Sequence, residues 1–212
     1  MKLNYIFFVL ILTSWIGQTQ IVIIPDPIFK DALVNNPVVD TNNDGIGDVD
    51  VDTNNDGEVQ TSEALAVTAL YVSDFGINNL QGMESFENLQ IFDGSENNIE
   101  SVSVTTMADL EVLDVSSNFI LGAGGLDVTQ NGMLRKLYAD QNDITIVNVS
   151  QNANLEILSL RGNQIFVLDV DQNLNLIALY CANNDLMNLD VSQNQNLEEL
   201  VCNSNELSSL NV

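Results

Sequence analysis

The sequence of 212 residues contains no histidine, and its 30 aspartate and glutamate side chains face only five lysine and arginine side chains. The missing histidine excludes the Ser–His–Asp triads, imidazole zinc sites and histidine general bases of many hydrolases. A formal charge of −25 repels phosphate backbones and anionic lipid head groups, so we expect no nucleic-acid or membrane-surface binding. The partners that such a charge favours are cations, above all Ca²⁺.

Hydrophobic residues are not scarce: they make up 45% of the chain, which is enough to build a core. Global disorder is therefore not expected despite the charge. The length allows one large domain or two small ones.

The N-terminus has the composition of an export signal. It begins with Lys2, runs apolar from Tyr5 to Leu12 and then becomes small and polar. This order predicts a cleaved signal peptide over residues 1–19, and the apolar run is too short for a transmembrane helix. The alternative is an amphipathic or buried N-terminal helix. The mature protein is expected to be secreted or at the cell surface, without a transmembrane segment.

From residue 67 onward the chain repeats itself. Complete units of 21 residues occupy 134–154, 155–175 and 176–196, and a further unit begins at 197. Earlier units are looser, and one carries three extra residues at Gly122–Gly125. The shared pattern is L-x-x-L-x-L-x-x-N-x-I/L-x-x-L-D-V-x-x-N, and its period is that of leucine-rich repeats.

Each L-x-L segment predicts a short strand whose apolar side chains face inward, and stacked units pair these strands into a parallel sheet. The sequence therefore predicts a β-rich leucine-rich-repeat solenoid of the α/β repeat class. Its concave face would carry the parallel sheet, its convex face short strands or turns, and its N-terminus a small helical cap. We assign residues 20–66 to the cap and 67–212 to the repeats.

Asparagine recurs at two fixed positions of the repeat, where its amide can pair backbone groups at the turns. The structural interpretation is favoured for both sets, since every member is in register. The first set is Asn97, Asn118, Asn142, Asn163, Asn184 and Asn205, and the second is Asn131, Asn152, Asn173 and Asn194.

These units resemble the L-x-x-L-x-C-x-x-N-x-L-x-x-L-D-V-S-x-N repeats of secreted, internalin-like bacterial proteins, over residues 67–212. The segments IPDPIFKDALVNNP and LQGMESFENL are similar to the N-terminal region of that family. The resemblance implies a secreted or surface-exposed binding protein, often with further modules after the repeats. Because the pattern stops at Val212 in mid-repeat, we expect a truncated repeat domain; the alternative is a partner that covers the open edge.

Cys181 and Cys202 occupy the same inward position of adjacent repeats, roughly 4.8 Å apart. Side chains in register on parallel strands rarely reach the disulfide dihedral, so we predict two buried free thiols. A disulfide is the alternative, because the compartment is oxidising.

The segment 39–63 contains VDTNNDG twice, twelve residues apart, and its second copy matches the twelve-residue calcium loop. Gly57 falls at position 6, where the chain must turn sharply. The ligands at positions 1, 3, 5, 7 (carbonyl), 9 (through water) and 12 would be Asp52, Asn54, Asp56, Glu58, Gln60 and Glu63. This pattern predicts a structural Ca²⁺ site with an affinity of about 10⁻⁴–10⁻³ M, as in extracellular modules.

The first copy is less complete, because Val51 stands at position 12. Asp50 or Asp52 could substitute, and Asp52 would then be shared between two ions. The ligands of this second site would be Asp40, Asn42, Asp44, Ile46 through its carbonyl, and Asp48. For both copies the alternative is a solvated acidic linker.

The strand residues that point outward are mostly small and polar, but Tyr138, Arg161 and Tyr180 are not. Exposed aromatic and arginine side chains commonly anchor interfaces. We therefore predict that these three residues bind a protein or glycan; the alternative is that they are ordinary surface residues.

The predicted function is a binding or adhesion module that uses its concave face and carries structural Ca²⁺ in its cap. The alternative is a spacer that presents a missing C-terminal domain. We do not expect an enzyme. Two carboxylates suffice for glycoside hydrolysis, but the sequence implies no partly apolar cleft that would raise a carboxyl pKa.

Overall fold

The computed structural model describes residues 20–122 and 124–212, so the signal peptide predicted over 1–19 lies outside the described residues. The described chain is a solenoid built mainly from short strands. None of its helices is long and apolar enough to cross a membrane.

Two short helices belong to the N-terminal cap. Helix α1 spans Pro27–Asn35. Asp26 is its N-cap, and the Asp26 carboxylate accepts free backbone N–H groups of the first turn, a role that aspartate commonly fills. Helix α2 spans Thr61–Ala64. A single turn of 3₁₀ helix follows at Met83–Ser85.

Eleven short strands follow the cap in the described residues. They are β1 (Ala69–Tyr71), β2 (Ile91–Asp93), β3 (Val102–Ser103), β4 (Val112–Asp114), β5 (Leu126–Asp127), β6 (Lys136–Tyr138), β7 (Ile157–Ser159), β8 (Ala178–Tyr180), β9 (Asn188–Asp190), β10 (Glu199–Val201) and β11 (Ser209–Asn211).

Seven strands form one parallel sheet in the order β1-β2-β4-β6-β7-β8-β10. Each strand pairs in register with the next, so that equivalent residues of successive repeats lie side by side. On the opposite side of each turn, β3 pairs with β5 and β9 with β11. The predicted solenoid, with its concave parallel sheet and short convex strands, is confirmed.

The core runs along the inside of the solenoid. The central residue of each sheet strand is inward, as Leu113, Leu137 and Leu158 show by their complete burial. The valines of the L-D-V segments, such as Val149 and Val170, are buried from the convex side. A single repeat could not bury its strand leucines and its L-D-V valines by itself, and stacking the repeats removes both groups of side chains from water.

Both asparagine sets have the structural role that the sequence predicts. In the first set, Asn163 accepts the N–H of Ile144 through Oδ1 and donates Nδ2–H to the carbonyls of Ala139 and Leu160. In the second set, Asn173 donates to the carbonyls of Val149 and Asn152. Each asparagine therefore joins its own turn to the repeat before it.

The two cysteines are free thiols, as predicted, but only one of them is buried. Burial, with a smaller contribution from neighbouring Cys202, raises the pKa of the Cys181 thiol to about 12, so it stays protonated and unreactive. Cys202 is half-buried instead of buried, since it follows β10, the strand at the edge of the described sheet.

Candidate functional site

The three predicted ligand-binding residues lie on the concave side of the sheet. Tyr138 ends β6 and Tyr180 ends β8, while Arg161 follows β7 between them. Tyr138 and Tyr180 both occupy the strand position that is aligned with Ser159 of β7. The parallel register therefore brings the three side chains to one surface.

Arg161 and Tyr180 are in direct contact. The guanidinium carbon of Arg161 lies 4.1 Å from the centroid of the Tyr180 ring, which is a cation–π arrangement. The hydroxyl of Tyr180 donates a hydrogen bond of 2.6 Å to Glu199, and this bond fixes the ring. Among the described residues, Arg161 makes no ion pair, whereas Arg135 pairs with both Glu111 and Glu156.

A hydrogen-bond network beneath Arg161 positions its backbone. The carboxylate of Asp140 accepts the N–H of Arg161 at 2.6 Å and the hydroxyl of Ser159 at 2.7 Å. Ser159 lies on the same face, aligned with Tyr138 and Tyr180, and is buried. The arginine is thus presented on a rigid strand end, which suits an anchor for binding.

Toward the N-terminus the same face becomes acidic. Asp93 and Asp114 lie side by side on β2 and β4, and Asp114 is in turn aligned with Tyr138. Burial raises the pKa of Asp114, hydrogen bonds from Ser116 oppose this, and the charges of Asp93 and Asp140 add to it. The sequence implied no partly apolar cleft that would raise a carboxyl pKa, and the pKa of Asp114 is raised without one, mainly by its burial within the sheet.

The cap continues this acidic surface. Val39 bridges Leu70 in antiparallel fashion, and the N–H of Tyr71 donates to the carbonyl of Val38. The pKa of Tyr71 is raised by burial and then by the charges of Asp40, Asp93 and Asp44, so the first acidic loop borders the concave face.

The second acidic loop is folded tightly around its first aspartate. The carboxylate of Asp52 accepts the N–H groups of Asp56 at 3.1 Å and Gly57 at 2.7 Å. Asn55 and Gly57 have φ values of 58° and 82°, in the left-handed region. Gly57 adopts its left-handed φ without strain, because glycine has no Cβ.

The last two predicted ligands of this loop close it. Glu63 Oε1 accepts the hydroxyl of Thr53 at 2.9 Å and the N–H of Asn54 at 3.3 Å. Gln60 Nε2 lies 3.1 Å from both carboxylate oxygens of Asp56 and 3.2 Å from the carbonyl of Glu58. Three oxygens of predicted ligands therefore converge on one amide nitrogen.

Glu63 also has a structural task at the start of α2. Its Oε2 accepts the backbone N–H of Gln60 at 2.9 Å, which is half of a capping box. The N–H of Glu58, with smaller contributions from Gln60, Asn54 and the charge of Lys30, holds the pKa of Asp56 below its ordinary value. Residues 20–122 and 124–212 contain no group of three or more His, Cys, Asp or Glu side chains arranged to hold a metal ion.

The first acidic loop adopts the same backbone geometry but is closed differently. Asp40 accepts the N–H of Gly45 at 2.8 Å, and Asn43 and Gly45 again have left-handed φ values. Here Asp48 takes the closing role: its carboxylate accepts the hydroxyl and N–H of Thr41 and the side-chain amide of Asn42. Ile46, predicted to offer its carbonyl, donates its N–H to Asp44.

No protein-family model and no curated protein matches the chain. Among solved structures, internalin C2 from Listeria monocytogenes is 20% identical with a TM-score of 0.53, and the match covers 88% of each chain. A leucine-rich-repeat protein from Leptospira interrogans is 19% identical with a TM-score of 0.51, over 72% of this chain and 50% of that one. The functional domain of InlJ from Listeria monocytogenes, which includes a cysteine ladder, is 26% identical with a TM-score of 0.48.

The InlJ match covers 71% of this chain and 42% of that chain. This chain therefore spans half or less of the InlJ and Leptospira chains. The matches to internalin C2 and the Leptospira protein confirm an internalin-like leucine-rich-repeat fold, as the resemblance in the repeats predicted.

Sequence reasoning missed two contributors to the concave surface. Glu199, which fixes Tyr180, and Asp140, which holds the backbone of Arg161, were not among the predicted site residues. Glu199 is aligned with Ala178 in the strand register, so it lies on the same face as Tyr180 and diagonally across the adjacent strand, within reach of a long side chain.

Proposed function

We propose that the protein is a secreted or cell-surface binding or adhesion module that recognises a protein or glycan on its concave face. The observation that carries this proposal is the Arg161 guanidinium stacked on Tyr180 with no ion-pair partner among the described residues. An arginine whose donors are free and whose side chain is already ordered loses little entropy when it binds a ligand. Arginine and tyrosine are also the residues enriched at binding hot spots.

Tyr138 would extend the contact toward the acidic half of the face. It lies in register beside Asp114, and burial followed by the charges of Asp114 and Asp140 raises the pKa of its hydroxyl. The phenol therefore stays protonated at neutral pH and can donate a hydrogen bond. The internalin-like fold is compatible with binding of this kind, and the export signal predicted over residues 1–19 would bring the face to the cell exterior.

The binding proposal can be tested by presenting the labelled protein to an array of glycans and to a display library of extracellular protein domains. We expect at least one saturable ligand whose affinity falls tenfold or more in Arg161→Ala and Tyr180→Ala. The matched control is Gln172→Ala, at an exposed position outside the concave sheet, which should bind like the wild type.

The result that contradicts the proposal is a ligand bound equally by Arg161→Ala, Tyr180→Ala and Tyr138→Ala, with all three variants folded. That result would mean that the concave face does not bind the ligand, and it would favour the alternative in which the repeats are a spacer. Thermal melting of each variant separates a lost contact from a lost fold.

We also propose that Ca²⁺ occupies the second acidic loop as a structural ion. Asp52, Asn54, Asp56, the Glu58 carbonyl, Gln60 and Glu63 would hold it, and together they provide the hard oxygen donors that this ion prefers. The convergence of the Asp56 and Glu58 oxygens on Gln60 Nε2 supports the proposal, because those oxygens meet at one point. The first loop, with Asp40, Asn42, Asp44, Ile46 and Asp48, would be a weaker second site.

The calcium proposal is tested by melting chelator-treated protein with and without millimolar Ca²⁺. We expect the melting temperature to rise with Ca²⁺ and to rise less with Mg²⁺, which keeps more of its own waters. Equal melting temperatures under all three conditions would reduce both loops to a solvated acidic linker.

A further inference from the structure

One side of the solenoid carries an apolar surface that is distinct from the concave face. Six large hydrophobic side chains from four successive repeats are between 41 and 59% exposed there. In each repeat they come one to four residues after the asparagine of the first set. We call them the lateral patch: Phe119, Leu121, Ile146, Phe166, Val167 and Met187.

Backbone hydrogen bonds hold these residues one repeat apart. The N–H of Asp143 donates to the carbonyl of Ile120, that of Gln164 to Ile144, and that of Asp185 to Ile165. Successive turns are therefore stacked at about the spacing of neighbouring strands, roughly 4.8 Å. The six side chains expose on the order of 500 Å² in total along the stacked turns, which is comparable to the largest apolar patch of a typical monomer, and such patches are often functional.

Carboxylates lie close to the residues of the lateral patch. Asp185 stands two residues before Met187, Asp169 stands two residues after Val167, and Leu121 forms a parallel bridge to Asp143. Asp127 and Asp190 are further acids of the same repeats. The basic residues of the described chain lie elsewhere, Lys30 in α1 and Arg135, Lys136 and Arg161 at the concave sheet.

We propose that the lateral patch docks a protein segment whose apolar face is bordered by lysine or arginine. Charge complementarity selects this partner. A second copy of the chain would bring two sets of carboxylates together, and like charges across an interface suppress association. An anionic membrane surface is repelled by the same carboxylates. A basic amphipathic segment buries the apolar centre and neutralises its border.

The test uses a synthetic 18-residue helix of leucine and lysine with one apolar face, labelled for fluorescence anisotropy at physiological salt. A peptide of the same composition in scrambled order measures attraction by charge alone. The variant Phe166→Ser/Val167→Ser removes apolar surface from the patch. The matched control, Leu174→Ser/Ile177→Ser, removes two exposed apolar side chains elsewhere on the protein.

We expect saturable binding of the amphipathic helix that weakens tenfold or more in Phe166→Ser/Val167→Ser and stays unchanged in Leu174→Ser/Ile177→Ser. The scrambled peptide should bind the wild type no better than it binds the patch variant. All four substituted residues are exposed, so both variants should melt like the wild type.

Three results would overturn the proposal. The first is no saturable binding of the amphipathic helix, and the second is equal binding to wild type and Phe166→Ser/Val167→Ser. The third is a wild-type dimer in sedimentation equilibrium that dissociates in the patch variant, since a second copy would then be the occupant.

Discussion

Two regions of the molecule bind backbone N–H groups with short side chains at fixed intervals, but the cap uses aspartates where the repeats use asparagines. In the repeats, Asn163 accepts one N–H and donates to neighbouring carbonyls, so both halves of a neutral amide are used. In the cap, Asp40 and Asp52 accept N–H groups in the same way but each leaves a negative charge. The first asparagine set therefore leaves no charge behind, whereas we expect the cap to be stabilised by a bound cation.

The largest expected effect on stability comes from removing an asparagine of the first set. Asn163→Ala leaves the N–H of Ile144 and the carbonyls of Ala139 and Leu160 without their partner inside the solenoid. Each unpaired buried group costs about 1–3 kcal/mol, so we expect the free energy of unfolding to fall by about 3–5 kcal/mol in urea titrations. The loss should be the same with Ca²⁺ and with chelator.

The control for this prediction is the same exchange at an exposed asparagine. Asn175 makes one hydrogen bond, from Nδ2 to the carbonyl of Ala153, and Asn175→Ala should cost less than about 1 kcal/mol. Equal losses in the two variants would mean that the ladder does not hold the repeats together.

The next effect concerns Asp26, where the cap meets the first repeat. Burial raises the pKa of Asp26, but N–H groups of Asn78, Phe29, Ile28 and Asn79 outweigh it, and the net pKa is below 3.8. Because the folded pKa is lowered, the stabilisation is present above about pH 3.8 and lost as pH falls through the folded pKa. Asp26→Ala should lower the free energy of unfolding by about 2–4 kcal/mol at pH 7.

Asp26→Asn separates charge from hydrogen bonding. Its difference in unfolding free energy from the wild type should shrink as the pH falls below 3.8, where the wild-type carboxyl becomes protonated. A difference that stays constant down to pH 2 would show that the charge of Asp26 contributes nothing.

The third effect is specific to the acidic loop. If the ion binds with an affinity of about 10⁻⁴–10⁻³ M, 10 mM Ca²⁺ should stabilise the fold by about 1–3 kcal/mol. Glu63→Gln should abolish that gain, since an amide cannot chelate with two anionic oxygens. Asp109→Asn, at an exposed acid of the repeats, should retain the full gain in thermal melts. An equal gain in both variants would indicate general charge screening instead of a site.

The smallest effect is expected on the concave face. The folded pKa of Asp114 is raised, so its ionised form destabilises the fold above that pKa and the penalty vanishes below 3.8. Asp114→Asn should therefore stabilise the protein at pH 7 by less than about 1 kcal/mol, because solvent screens the neighbouring charges. Melting curves at pH 7 and pH 3 check this, and a destabilised variant at pH 7 would contradict it.

The repeat pattern was sufficient to predict the solenoid, its parallel sheet and both asparagine sets. Those features repeat at one period, so each unit supports the assignment of the next. The period also placed Tyr138, Arg161 and Tyr180 on one face, since register decides which side chains are neighbours.

Features that depend on side-chain packing could not be predicted in this way. The burial of Ser159 on the concave face depends on the side chains that flank it, and the raised pKa of Asp114 follows mainly from its own burial. The half-buried state of Cys202 reflects its place at the last strand, although its repeat position is that of buried Cys181. The closing role of Asp48 likewise depends on where the loop folds back.

The difference between cap and repeats is tested most directly by calorimetric titration of Ca²⁺ into chelator-treated protein, beside the variant Asp56→Ala/Glu63→Ala. The account predicts saturable heat that is lost in the variant, and the stoichiometry will show whether Asp40–Asp48 holds a second ion. No heat at millimolar Ca²⁺, with an unchanged melting temperature, would contradict it: the aspartates of the cap would then be as self-sufficient as the asparagines of the repeats.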